Sequence, residues 1–210
     1  MILSHQKKFI FVHIYKVAGS SIRSVLSKYD DRDSSDLSIF NNSRIWMEQK
    51  FFRTETSFLT HLKAREIQKM IKEVDFNNYF KFSFVRNPWD WQVSLYYFMM
   101  QSTNHRQHKL VSKMKNFEEY LDWRINKDLD FQKHFVCDSK GKLLVDFVGR
   151  FENIQADFDH ICDRIYIPRF RLPVKNTSNH LHYKEYYTSK TRKWVEEAFK
   201  EDIELFGYEF

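Results

Sequence analysis

The chain has 210 residues, 42% of them hydrophobic and 30% charged, a soluble globular balance that excludes a disordered or collagen-like chain and suits one domain. Lys and Arg number 34 against 28 Asp and Glu, a net charge of +6 that favours partners carrying phosphate, sulfate or acidic-glycan charge. Two cysteines, Cys137 and Cys162, exclude a disulfide framework and a four-thiolate zinc site, and the four glycines are too few and too scattered for a GxGxxG fingerprint or a GxxxxGK[ST] loop.

Lys7–Ile14, KKFIFVHI, is rich in aromatic and β-branched residues and reads as a buried strand. The apolar run within it, Phe9–Ile14, is too short to cross a membrane and lacks a signal-peptide cleavage region, so the expectation is a cytoplasmic chain with no transmembrane segment. Tyr15–Ser20 reads as a loop and Ser20–Tyr29 as a helix with Ile22, Val25 and Leu26 on one face. Asp30–Ser43 is polar and loop-like. Lys63–Val74 is helical, with Ile67, Met70, Ile71 and Val74 at three- and four-residue spacing. Tyr79–Val85, YFKFSFV, is a second strand, and Pro88 stands at the first position of the helix after it. Ser102–Lys115 is polar and basic, and Asn116–Ile125 is a further helix. Phe135–Phe151 suggests two strands around the turn Ser139-Lys140-Gly141-Lys142. Ile154–Ile165 is a helix, Pro168–His182 is irregular, and Thr188–Phe206 closes the chain as one long helix. Strands alternating with helices predict an α/β fold, a P-loop-type central parallel sheet flanked by helices, in a single domain over 1–210.

Two segments carry chemistry. In the first, Phe11 to Ile22, a strand ends, a short loop carries Lys16 and Gly19, and Ser20 and Ser21 open a helix. A helix N-terminus offers unpaired N–H groups and a positive dipole end, which suits a phosphate; Gly19 allows close approach, the serines add hydroxyls and Lys16 adds a point charge. The bland alternative is a strand–turn–helix with an ordinary serine cap. In the second, Phe84-Val-Arg-Asn-Pro-Trp-Asp90, a strand again feeds a helix, and Ser94 lies six residues after Pro88, roughly 9 Å along the axis. Arg86 with its fork and Ser94 with its hydroxyl could grip one phosphate. The alternative is that Arg86 pairs with Asp90 and Ser94 simply packs.

Together these segments resemble the sulfotransferase superfamily. The family's 5′-phosphosulfate loop, H-I-x-K-T-A-G-T-S, is similar to His13-Ile-Tyr-Lys-Val-Ala-Gly-Ser-Ser21, and its 3′-phosphate motif, V-R-N-P-x-D-R-x-V-S-L-Y, is similar to Val85-Arg-Asn-Pro-Trp-Asp-Trp-Gln-Val-Ser-Leu-Tyr96. Phe147-Val-Gly-Arg-Phe-Glu-Asn153 and Asp202-Ile-Glu-Leu-Phe-Gly-Tyr208 look similar too, so the resemblance covers nearly the whole chain. It is closest to the branch of carbohydrate O-sulfotransferases that includes the heparan 2-O enzymes. Val17 stands where Thr is usual, Ser20 where Thr is common and Trp91 where Arg is frequent. The loss of a hydroxyl at position 17 shifts weight to backbone N–H groups.

The resemblance implies 3′-phosphoadenosine 5′-phosphosulfate (PAPS) as donor, its product PAP, and in-line transfer to an acceptor hydroxyl on a glycan, glycolipid or small metabolite, by analogy with phosphoryl transfer and without a metal. It implies that Lys16 neutralises the leaving oxygen, that Lys16, Val17, Ala18, Gly19, Ser20 and Ser21 hold the 5′ end, and that Arg86 and Ser94 hold the 3′-phosphate. In Lys175-Asn-Thr-Ser178, Thr177 and Ser178 match a stretch that folds over the nucleotide. An acceptor hydroxyl needs a base, and His61, in Phe58-Leu-Thr-His-Leu62 between the two motifs, matches the family's base; an ordinary histidine pKa near 6.5 suits neutral pH. Its rivals are Glu48, Glu55 and His105, and the alternative is a loop histidine that caps the helix. His13 reads as structural or as a support, and His180 and His182 as surface residues. A kinase-like P-loop enzyme is the runner-up, although Lys16 precedes Gly19 and no Asp clearly follows a strand to hold magnesium. A basic glycan- or nucleic-acid-binding module is the remaining alternative, with no nucleic acid expected.

Overall fold

A computed structural model describes residues 1–32, 59–174 and 181–210. In chain order the elements are β1 (Ile2–Ser4), β2 (Phe9–Val12), α1 (Gly19–Leu26), α2 (Ala64–Met70), α3 (Glu73–Asn78), β3 (Phe80–Val85), α4 (Pro88–Gln101), α5 (Phe117–Lys127), β4 (Phe147–Arg150), α6 (Ile154–Arg164), α7 (Ser189–Ala198) and α8 (Lys200–Phe206), with one-turn helices at His108–Val111 and Lys133–Val136. The chain gathers into two compact units, Met1–Val85 with Gln132–Lys175, and Arg86–Phe131 with Asn176–Phe210.

The first unit is built on a four-stranded sheet of order β1-β2-β3-β4. β1 runs antiparallel to β2, whereas β2, β3 and β4 are parallel, with Val12 opposite Ser83 and Val85 opposite Arg150. The carboxyl ends of the three parallel strands therefore share one edge, the edge at which open α/β sheets bind ligands. β2 is buried along its length and β3 along all but its first residue, the unbroken apolar run of strands covered on both faces. Phe11 stacks on Phe82 at 5.3 Å and Phe9 packs on Phe82 at 5.9 Å. Gly149 in β4 is there because a Cβ would sit 2.5 Å from the ring of Phe84.

Several boundaries differ from the sequence expectation. The chain reaches β2 through β1 and a tight turn in which Lys8 is left-handed (φ 52°), so Lys7 and Lys8 are turn and not strand. The carboxylates of Asp30 and Asp31 accept the N–H groups of Leu3, His5 and Gln6, a distant pin that no local pattern announces. The helix expected over Lys63–Val74 breaks at Ile71 and Lys72, both extended at ψ. Ile71 and Phe76 are both buried while Val74 is exposed, and a five-residue spacing cannot keep two side chains on one helical face. In place of the strand pair expected over Phe135–Phe151, the chain forms the one-turn helix Lys133–Val136 and a single antiparallel bridge, Cys137 to Leu143. The turn itself is where expected, with Asp138 accepting from Lys140 and Lys142 and Gly141 at φ 83°. Phe147–Arg150 then pairs parallel with β3.

In the second unit Asn87 caps α4, accepting from the amides of Trp89 and Asp90, with Pro88 at the first helical position as expected. The Tyr187 hydroxyl donates to the Trp89 carbonyl, and the Trp89 indole donates to Arg192. The closing helix divides at the buried Phe199 (φ −105°, ψ 20°), whose ring meets Trp91 and Phe131 edge-on. No helix of the described residues is long and apolar enough to cross a membrane.

Candidate active site

β2 ends at Val12 and α1 begins at Gly19, so Phe11 to Ile22 forms the strand–loop–helix unit that the sequence suggests. Two non-glycine residues of the loop are left-handed, Lys16 at φ 64° and Ala18 at φ 58°. Such residues cost about 1–3 kcal/mol each and persist only where their surroundings hold them. Val17, between them, is fully buried, as are Ile14 and Ile22, so apolar anchors on both sides hold the curl. The position that carries Thr in the family motif here faces the core, and Val17 serves as an anchor.

The curl leaves the head of α1 open. Ala18, the residue at the cap, has no side-chain acceptor, and the first turn holds no acidic residue. Ser21 and Ile22 direct their N–H groups to the Ala18 carbonyl at 2.9 and 3.2 Å, so the leading amides are those of Gly19 and Ser20. α4 and α5, by contrast, are each capped by an asparagine and carry acidic residues in the first turn. Left-handed residues leading into a helix head make a concave array of N–H groups suited to an anion. Ser20 is exposed and Ser21 buried, so of the two hydroxyls only that of Ser20 faces solvent. The residues present therefore fit a phosphosulfate group: an uncapped positive helix end, a curled loop, an exposed hydroxyl and the Lys16 charge.

Gly19 has a second reason to be glycine. A Cβ there would lie 1.6 Å from Nε2 of His13, whose ring fills the space against the helix head. His13 is 6% exposed, and its Nδ1 has no hydrogen-bond partner among the described residues. Burial, reinforced by His61, the amino group of Met1 and Arg23, holds its pKa well below the usual 6.5, so the ring is neutral at pH 7.

His61 closes the short 3₁₀ turn Leu59–His61 just before α2 and is half-buried. Its Nδ1 lies 3.0 Å from the carbonyl oxygen of His13. A carbonyl only accepts, so Nδ1 carries the proton and the lone pair of the neutral ring sits on Nε2, the arrangement a general base requires. The ring lies 4.5 Å from that of His13 and meets Tyr15 edge-on at 6.1 Å. Thr60 ties the turn down, its hydroxyl accepting from Arg23 of α1 and its carbonyl from the Met1 amino group. The structure thus brings His61 beside the loop that carries Lys16, across 48 residues of sequence.

The other predicted residues fall elsewhere. Arg86 and Ser94 belong to the second unit. Arg86 is buried and forms a two-pronged pair with Asp90, Nε to Oδ2 at 2.7 Å and Nη2 to Oδ1 at 2.9 Å, which sets the plane of its guanidinium. Ser94, four residues beyond Asp90, shares its helix face and is 2% exposed. His105 accepts through Nδ1 from Gln107 inside its own turn and packs on Phe98, also in the second unit. His182 accepts from Lys184 at the surface. Glu48, Glu55, Thr177, Ser178 and His180 lie outside the described residues. Among the described residues no cluster of three or more His, Cys, Asp or Glu could hold a metal ion.

No curated protein sequence matches the chain significantly. The solved structures provide a likeness of fold: the crystal structure of mouse sulfotransferase SULT7A1 complexed with PAP superposes with a TM-score of 0.57 at 14% identity, over 96% of this chain and 86% of that one. The sequence profile of the Sulfotransferase family matches residues 1–209. With a profile match over essentially its full length, on a mostly parallel sheet whose first helix opens on an uncapped, curled loop, the chain belongs to the sulfotransferase family.

Proposed function

We propose that this sulfotransferase carries a sulfuryl group from PAPS to an alcohol, with His61 as general base and the loop from Lys16 to Ser20 as the seat of the 5′-phosphosulfate. PAPS supplies a sulfuryl group on a good leaving group. The chain's own residues do the rest. The Gly19 and Ser20 amides and the Ser20 hydroxyl hold the anionic end, and the Lys16 ammonium meets the negative charge that grows on the bridging oxygen. His61 Nε2 takes the acceptor's proton as the acceptor oxygen bonds to sulfur and the bond from sulfur to the bridging oxygen breaks. The electron pair of that bond stays with the nucleotide. Arg86, with its plane set by Asp90, and Ser94 contact the 3′-phosphate. The observation that carries the reading is the His61 Nδ1 contact to the His13 carbonyl, because it holds the imidazole by Nδ1 at the foot of the same loop and leaves Nε2 as the basic nitrogen of the neutral ring.

For the acceptor we propose a sugar hydroxyl, as in the carbohydrate branch that the two motifs resemble; the net charge of +6 favours an anionic glycan over a neutral one. The test is incubation with sulfur-labelled PAPS and a panel of desulfated glycans, glycolipids and small alcohols, with calorimetry of PAP against adenosine 5′-phosphate. Label on a glycan and a clear preference for PAP support the reading. Label on small alcohols alone refutes the glycan acceptor, and equal affinity for the two nucleotides refutes the 3′-phosphate assignment.

A further inference from the structure

We propose that His13 is the positioning residue of the base: a wedge that couples the orientation of His61 to the head of α1. This rests on reading His61 as the base. The imidazole of His13 is held on three sides. Phe11 stacks on it at 5.6 Å with 21° between planes, His61 packs at 4.5 Å with 43° between planes, and its Nε2 edge presses on Gly19 so closely that no side chain fits there. Its own carbonyl accepts the Nδ1 proton of His61. One residue therefore touches the base twice, through ring and backbone, and the anion-facing helix once. A displacement at the helix head is transmitted to His61 through a single rigid ring.

Stability alone does not account for an imidazole here. Nδ1 of His13 is buried without a partner among the described residues, a cost that an apolar side chain in the same place avoids. A small apolar residue would leave the His61 ring without a wall, and the six-membered ring of Phe would run into Gly19. The five-membered ring fits the gap. Because burial opposes its protonation, it neither competes for the acceptor's proton nor repels the imidazolium that His61 becomes. The groups facing His13 are His61 from the turn before α2, Arg23 from α1 and the amino group of Met1 from β1.

The test combines a spectroscopic and a kinetic readout. Long-range nitrogen–proton NMR on the parent protein should show a neutral His13 and a His61 with its proton on Nδ1. In a double-mutant cycle, turnover is read as PAP released from PAPS with water as acceptor, and PAP affinity by calorimetry. His13→Ala should slow turnover by roughly 10- to 100-fold in the parent, by no more than a few-fold in the His61→Ala background, and should leave PAP affinity nearly unchanged. Equal slowing in both backgrounds, or a parental His61 protonated on Nε2 alone, overturns the wedge while leaving the base assignment to its own test. His61→Ala at parental turnover overturns the base and the wedge together. If His13→Ala does not fold, Gly19→Ala pushes the same ring from the other side; unchanged His61 ring signals in that variant overturn the proposal.

Discussion

Gly19→Ala opposes two physical expectations of opposite sign. By propensity alone, Ala in place of a helical Gly stabilises by roughly 0.5–1 kcal/mol. By contact, the new Cβ would lie 1.6 Å from His13 Nε2, 2.0 Å from Cδ2 and 2.5 Å from Cε1, against an ordinary contact beginning near 3.4 Å. The imidazole must move back by about 2 Å, and Phe11 and His61 stand close to its faces at centroid distances of 5.6 and 4.5 Å. Overpacking of this kind costs about 1–3 kcal/mol, which outweighs the propensity gain over most of that range, so the expected net change is a loss of up to about 2.5 kcal/mol. A base displaced by about an ångström loses roughly a hundredfold in rate. Urea unfolding at constant slope measures the first effect and PAP release from PAPS the second. A variant as stable as the parent or more so, with parental turnover, would refute both the contact and the argument that the His13 ring explains the glycine.

Three further outcomes are expected. Lys16→Ala should lose roughly 10²–10³ in turnover while PAP affinity falls less, because its charge acts chiefly on the developing oxyanion; turnover within a few-fold of the parent would remove it from the site. Arg86→Ala should reduce the preference for PAP over adenosine 5′-phosphate by about 10- to 150-fold, the value of a charged hydrogen bond, and should also destabilise the second unit by leaving Asp90 unpaired; calorimetry with a melting scan separates the two effects. His13, whose folded pKa is depressed below an unfolded value of 6.5, binds its proton more readily unfolded, so it makes stability fall as pH drops below about 6.5. The slope approaches 1.4 kcal/mol per pH unit at most, and a His13→Gln variant should show a flatter melting-temperature profile between pH 7 and 5.

Much of the architecture is local and can be read from the chain. The run FIFV in β2, the run FKFSFV in β3 and Pro88 behind Asn87 each specify their element through neighbours within a few residues, so strand–loop–helix at the first motif and strand–helix at the second are legible without coordinates. The residue types at the head of α1 likewise spell out an uncapped helix start that suits an anion. What the sequence cannot display is any contact whose partners are far apart in the chain. That β2 lies beside β3, that Asp31 pins a turn 25 residues away at Gln6, and that Phe147–Arg150 joins β3 in place of a hairpin with its own neighbours are products of non-local packing, which leaves no periodicity to detect. The same holds for the site. His61 could be nominated as a base from its place between the motifs, but its tautomer was decided only when folding brought the His13 carbonyl to its Nδ1. Gly19 suggested room for a ligand, and the fold shows that the room on its Cβ side is filled by His13, because close-packed interiors let one ring occupy the space a side chain would need.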